Sequence, residues 1–184
     1  MEQKKTAGAK ERNALPENLA LHARNCAMVG DLVGMCAAFH MLEEKAHQMP
    51  GQSQEEMLDG IKLQCHQDYI LIHCIPDATN ACMKGEYDAA NKMFEEAMQY
   101  VLKEVHGDPA HDPQEPLKRA IQDAAIACFR QIAQGKGGMQ EAEKCIQACN
   151  LFGDGEKKKF VFETIKWLKE QRKKKAEKGK TKQG

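Results

Sequence analysis

Apolar residues recur along this chain three and four positions apart, and short polar stretches containing Gly or Pro interrupt them. That spacing predicts helices near 16–29, 31–48, 54–83, 86–106, 114–134, 139–151 and 156–175. Two start signals support the division. Ser53-Gln54-Glu55-Glu56 reads as a capping box, and Asp112-Pro113-Gln114-Glu115 places an N-cap Asp before a Pro at the first helical position. Pro76 removes a backbone donor and crowds the preceding turn, so it should kink or split the third helix.

The segments share a further pattern. Counting five, nine and twelve residues on from Gly30, Gly85 and Gly137 gives Met35, Phe39 and Leu42, then Ala90, Phe94 and Ala97, then Ala142, Ile146 and Cys149. All nine are apolar, and steps of four and three put each trio on one helical face. The anchors lie 55 and 52 residues apart, a period slightly longer than that of the usual helical-hairpin arrays, and an internal repeat is expected.

Gly85, Tyr87, Ala90, Phe94 and Ala97 resemble the second half of a tetratricopeptide repeat, with its turn Gly, its Tyr, its aromatic and two small residues. Residues 25–31 (NCAMVGD) and 80–86 (NACMKGE) resemble the end of the first helix and the turn of a pentatricopeptide repeat, a related hairpin family that binds RNA. The resemblance implies an all-α, right-handed α–α hairpin solenoid of about seven helices, with the last one as a cap. It further implies a concave face lined by the first helix of each hairpin, into which Glu17 and Arg24 would project. The base-reading positions of pentatricopeptide repeats fall on Ala20, Ile75 and Ala127, whose side chains cannot hydrogen-bond a base.

Composition agrees with helices: Val and Thr are few, while Ala and straight-chain residues abound. At 184 residues one domain with tails is expected, a flexible segment 1–15, a helical-repeat domain 16–170 and a disordered basic tail 171–184. The net charge is zero but unevenly spread. Residues 156–184 carry 12 Lys or Arg against 4 Glu, which leaves the remainder acidic. Clustered basic side chains form the usual footprint for phosphate backbones, so Arg172, Lys173, Lys174, Lys175, Lys178, Lys180 and Lys182 are the nucleic-acid candidates.

Eight Cys in a chain whose first residues lack the apolar centre of a secretory signal point to free thiols in a reducing compartment, cytoplasmic or organellar matrix. The longest apolar run, 69–75, is too short to span a bilayer. His22 with Cys26 and Cys145 with Cys149 have helical ligand spacing but lack a second pair, and Cys65, His66, His73 and Cys74 divide between two faces. All are read as core or boundary residues. No local arrangement of nucleophile, base and orienting group stands out, and Gln134–Gly138 lacks the spacing of a phosphate loop. The sequence reading is therefore a non-catalytic scaffold or adaptor without metal or cofactor, working within a larger protein assembly. The alternative is an RNA-binding, pentatricopeptide-like protein or ribonucleoprotein subunit that uses the basic tail.

Overall fold

The computed structural model describes residues 16–48, 52–106, 112–135 and 138–180. All regular elements among them are helical: α1 (Glu17–Val29), α2 (Leu32–His47), α3 (Gln52–Asp68), a π-helical segment (Tyr69–Cys74), α4 (Ile75–Met83), α5 (Tyr87–Glu104), α6 (Gln114–Gln134), α7 (Gly138–Ala148) and α8 (Asp154–Lys180). Counting α3, the π segment and α4 as one run, the seven helices predicted from sequence are present, most with ends within two residues of expectation.

The local chemistry explains the boundaries. α1 stops because Gly30 turns left-handed, at φ 78°. The Gly30 N–H donates to the Ala27 carbonyl at 3.2 Å and the Asp31 N–H donates to the Cys26 carbonyl at 2.9 Å, the paired bonds of a Schellman motif. Asp31 then caps α2 by accepting from the Gly34 N–H at 2.9 Å. The turn at Gly85 repeats the pattern, with φ 86°, Gly85 N–H to the Cys82 carbonyl at 3.0 Å and Glu86 N–H to the Ala81 carbonyl at 3.0 Å. A third left-handed glycine is Gly138; the sequence anchor Gly137 lies outside the described residues.

Asp112 accepts from the Gln114 N–H at 2.9 Å, as its N-cap reading requires. α3 already starts at Gln52, ahead of the expected capping box, and Gln is a good helix former. At Pro76 the expected split takes the form of a change of winding. The turns before it widen into the π segment, where the Ile75 N–H reaches back to the Ile70 carbonyl, and this looser winding accommodates a ring that crowds an α turn. At the other end, α8 runs five residues past the helix end expected at 175, to Lys180. Lys, Arg, Gln, Glu and Ala keep their rotamer freedom in a helix, and Glu170 stands four residues before Lys174, so this stretch has no intrinsic reason to stop earlier.

Two compact units divide the chain more finely than the single domain 16–170 read from sequence. Unit 1 comprises the residues up to Pro76 together with 100–117, and unit 2 comprises 77–99 together with 118 onward. In unit 1, Ala23, Cys26, Ala27, Met35, Ala38, Phe39 and Cys65 form a buried cluster, with Leu32, Ile61, Tyr69 and Tyr100 packed on it. Leu42, Ala46 and Leu58 form a second cluster, with Leu19 and Ile61 against it. Small residues let α1 approach its neighbours closely: Ala23 and Ala27 have no exposed surface.

Unit 2 buries Ala78, Phe94, Ile121, Ala125, Ile146 and Thr164, and the Phe129 ring meets Phe152 and Phe160 edge-on at 6.5 and 5.9 Å. The carbonyls at the end of α7 would be left without helical partners, and side chains supply them. Asn91 donates to the Cys145 carbonyl at 3.0 Å and Lys157 to the Gln147 carbonyl at 2.9 Å.

All nine residues of the three aligned trios are buried, with Leu42, Ala142, Ile146 and Cys149 fully so. Phe94→Ala should therefore cost roughly 3–5 kcal/mol, read by urea denaturation; a loss below about 1 kcal/mol would place the ring at the surface. The two Schellman glycines differ in their surroundings. A Cβ on Gly85 meets nothing within 4 Å, whereas a Cβ on Gly30 would clash with the His73 ring, which lies tilted against Tyr69 with ring centres 5.5 Å apart. Gly85→Ala should cost about 1–2 kcal/mol from the left-handed backbone alone. Gly30→Ala should exceed that by at least about 1 kcal/mol, because the His73 ring must move.

Candidate functional site

Glu17 and Arg24 are seven residues apart on α1 and share a face; both are exposed to solvent. The structure places Arg24 at a pocket of about 280 Å³ and leaves Glu17 outside its lining. Ala20, Leu21 and Arg24 of α1 form one wall, and Ile61, Gln64 and Cys65 of α3 form the other. Most of this surface is apolar. Leu21 is 59% exposed, while Cys65 is buried.

Arg24 is not a free cation. Its Nε donates to Asp68 Oδ2 at 2.5 Å, and the other oxygen of that carboxylate accepts from Gln64 Nε2 at 3.1 Å. Asp68 is buried, so the charge withdrawn from water is held by one guanidinium and one amide. The hydrogen bond to Asp68, and then its charge, raise the Arg24 pKa further. Half of the Arg24 side chain remains exposed at the pocket rim. Arg24 and Asp68 are 44 residues apart, and no local spacing in the sequence joins them.

Behind the pocket lies an aromatic cluster that sequence reasoning also missed. His66 Nδ1 and the Tyr100 hydroxyl are hydrogen-bonded at 2.7 Å, the Tyr69 and Tyr100 rings are 4.7 Å apart, and the Phe39 ring meets His66 edge-on at 5.6 Å. Lys62 pairs with Glu43 and stands 6.0 Å above the Phe39 ring, closing the α2–α3 side. The Lys62 hydrogen bond is the main cause holding the Glu43 carboxyl below its usual range. Burial drives the His66 pKa down, assisted by Lys62 and His106 and opposed by Glu104.

The suggestive quartet Cys65, His66, His73 and Cys74 is divided among these contacts. Cys65 enters the unit 1 core with its thiol pushed up to about 11 by burial, His66 meets Tyr100, and His73 lies against Tyr69 beneath Gly30. Among the described residues no group of three or more His, Cys, Asp or Glu is placed to hold a metal ion. His22 lies 3.8 Å from the Cys26 sulfur, which is buried and held protonated by its surroundings. None of the eight cysteines, all of them among the described residues, forms a disulfide, and Cys145 and Cys149 are buried thiols.

In unit 2 the Cys82 thiol donates to Cys128, which lowers the Cys128 pKa and raises that of Cys82; Thr79 adds a second hydrogen bond to Cys128. Cys128 is only 2% exposed, so its sulfur has no open approach.

The basic candidates fall on α8. Arg172, Lys173, Lys174, Lys175, Lys178 and Lys180 belong to that helix, Lys173 is exposed, and Lys182 lies outside the described residues. Lys157, although part of the same charge run, is 8% exposed and engaged with α7. Among the described residues no helix is long and apolar enough to cross a membrane. No family model matches the sequence, no curated protein matches it, and no solved structure matches it.

The half-buried imidazole of His66 gives a pH test. Its folded pKa lies below the unfolded value of 6.5, so the native state favours the neutral ring. The stability it contributes is present above the unfolded pKa and is lost as pH falls below it, because the unfolded chain takes up the proton first. Urea midpoints for the wild type and for His66→Gln, measured from pH 7.5 to about 5, should therefore converge on the acid side. A pH-independent gap would mean that the ring titrates as it does in water.

Proposed function

We propose that this chain is a non-catalytic helical scaffold, built from tetratricopeptide-like hairpins, that holds a protein partner at the α1–α3 face. The observation that carries the reading is the pocket at Arg24: an apolar cleft with a buried thiol at its bottom, an exposed leucine on its wall and a half-exposed guanidinium at its rim. A cleft of this size takes one large aliphatic side chain. Arg24 commits Nε to Asp68, and a guanidinium has further donors suited to a second carboxylate. The partner segment is thus a peptide or helix that offers an apolar anchor next to an acidic residue. The hairpin arrangement draws support from the matching Schellman turns at Gly30 and Gly85 and from the nine buried seam residues.

Leu21→Glu tests the site without disturbing the core, since an exposed helical position tolerates the change within about 0.5 kcal/mol. Wild-type and variant full-length chains, isolated from the same cells, should differ in one protein present near stoichiometry. That protein should fall at least about tenfold with the variant, the cost of forcing a carboxylate into an apolar pocket beside an acidic partner. An unchanged set of bound proteins at unchanged abundance, with an unchanged Tm, would remove the pocket from consideration.

A further inference from the structure

The solvent face of α8 carries a second feature, separate from the pocket. One stripe of this helix is buried in unit 2 through Lys157, Phe160 and Thr164, with Val161, Trp167 and Leu168 half-buried at its margins. The opposite stripe holds an anomaly. Phe162 is 71% exposed and Ile165 is 39% exposed, and they stand among the exposed lysines Lys158, Lys166, Lys169 and Lys173. Steps of four, three, four and four from 158 through 162, 165 and 169 to 173 keep these residues on one face, and Lys166 flanks them one turn beyond Phe162.

Charge and shape together select the occupant. α8 has eleven Lys or Arg against five Asp or Glu, which favours a polyanion. Two of those basic residues are already engaged, Lys157 with the Gln147 carbonyl and Lys159 with Glu163 at 3.9 Å, and neither lies on the Phe162 stripe. An anionic bilayer would need a continuous apolar stripe to sink into, and the larger apolar stripe of this helix is spent on the protein core. A single aromatic ring between cations suits an unpaired base between phosphates.

We propose that this face of α8 binds single-stranded nucleic acid, with Phe162 stacking on a base, Ile165 against its edge, and Lys158, Lys166, Lys169 and Lys173 on the flanking phosphates. The sixteen residues from Lys158 to Lys173 span about 22 Å at the helical rise, room for a few nucleotides. This goes beyond the protein-binding reading and uses none of its residues, so either can fail alone. It also moves the recognition element N-terminal to the basic tail, because lysines alone do not distinguish a single strand from a duplex.

The test is fluorescence anisotropy of the full-length chain with labelled U15 RNA, T15 DNA and a 15-base-pair duplex at 50 and 150 mM NaCl. Phe162→Ala should weaken binding to the single strands about tenfold, the size of one base–aromatic stack, while leaving duplex binding unchanged. Either sugar supports the proposal, and the tighter of the two identifies the ligand. The doubly substituted Lys158→Gln/Lys169→Gln chain should lower the slope of log K against log salt on the single strand by about 1.4. Because Phe162 is mostly exposed, an unchanged Tm serves as the folding control. The proposal is overturned by undetectable single-strand binding at 50 mM NaCl, or by single-strand binding indifferent to Phe162→Ala. It also falls if phosphatidylserine vesicles, and not single strands, bind in a Phe162-dependent way.

Discussion

Reversing a helix within two residues forces the backbone into a left-handed conformation, and much of the local structure follows from meeting that constraint at Gly30 and Gly85. At each turn the same two carbonyls are satisfied by the same two amides, and the next helix begins at once. A turn so short leaves paired helices little room for bulk between them. That is why Ala23, Ala27, Ala38, Ala78, Ala90 and Ala97 occupy buried positions, with single large residues such as Met35 and Phe94 filling the space between. At Gly30 the constraint is doubled, because the missing side chain is also the space into which the His73 ring fits.

Period and punctuation in the sequence carried the helices. Regular spacing located all seven, and both Schellman glycines and the Asp112 cap were visible as residue types at fixed offsets. What stayed hidden was of two kinds. The π segment precedes Pro76, and the sequence announced a disturbance there without saying that it would take the form of wider winding. The pairs Arg24–Asp68, His66–Tyr100 and Cys82–Cys128 join residues on different helices, and no spacing rule relates positions that far apart. Arg24 itself was reached through a family pattern, yet its partner Asp68 was not, since it lies where that pattern specifies nothing. The charge run at the C-terminus was legible as a total. Its division into a buried Lys157 and an exposed stripe required the helix to be placed first.

Polar side chains in this molecule mostly finish helices rather than form surfaces of their own. Asn91 and Lys157 close the end of α7, Asp31 opens α2, and Gln114 reaches the Val105 carbonyl at 2.7 Å. Asp68, the last residue of α3, serves differently: this buried acid joins α1 to α3 beside a cleft. Retaining a charge where an apolar residue would pack more cheaply is a cost to stability that a binding role for Arg24 would offset.

Cysteine supplies much of the small, apolar packing material: Cys26, Cys65, Cys82, Cys128, Cys145 and Cys149 are all buried. Their sulfurs are shielded only after the helices have closed over them. A nascent or heat-opened chain exposes six thiols that the native chain hides, and in an oxidant such thiols cross-link in wrong pairs over seconds to hours, far more slowly than helices form. A chain held unfolded for that long would therefore need reducing surroundings to return to its native thiols. Its native cores act as a store of protected sulfur that opens when folding fails.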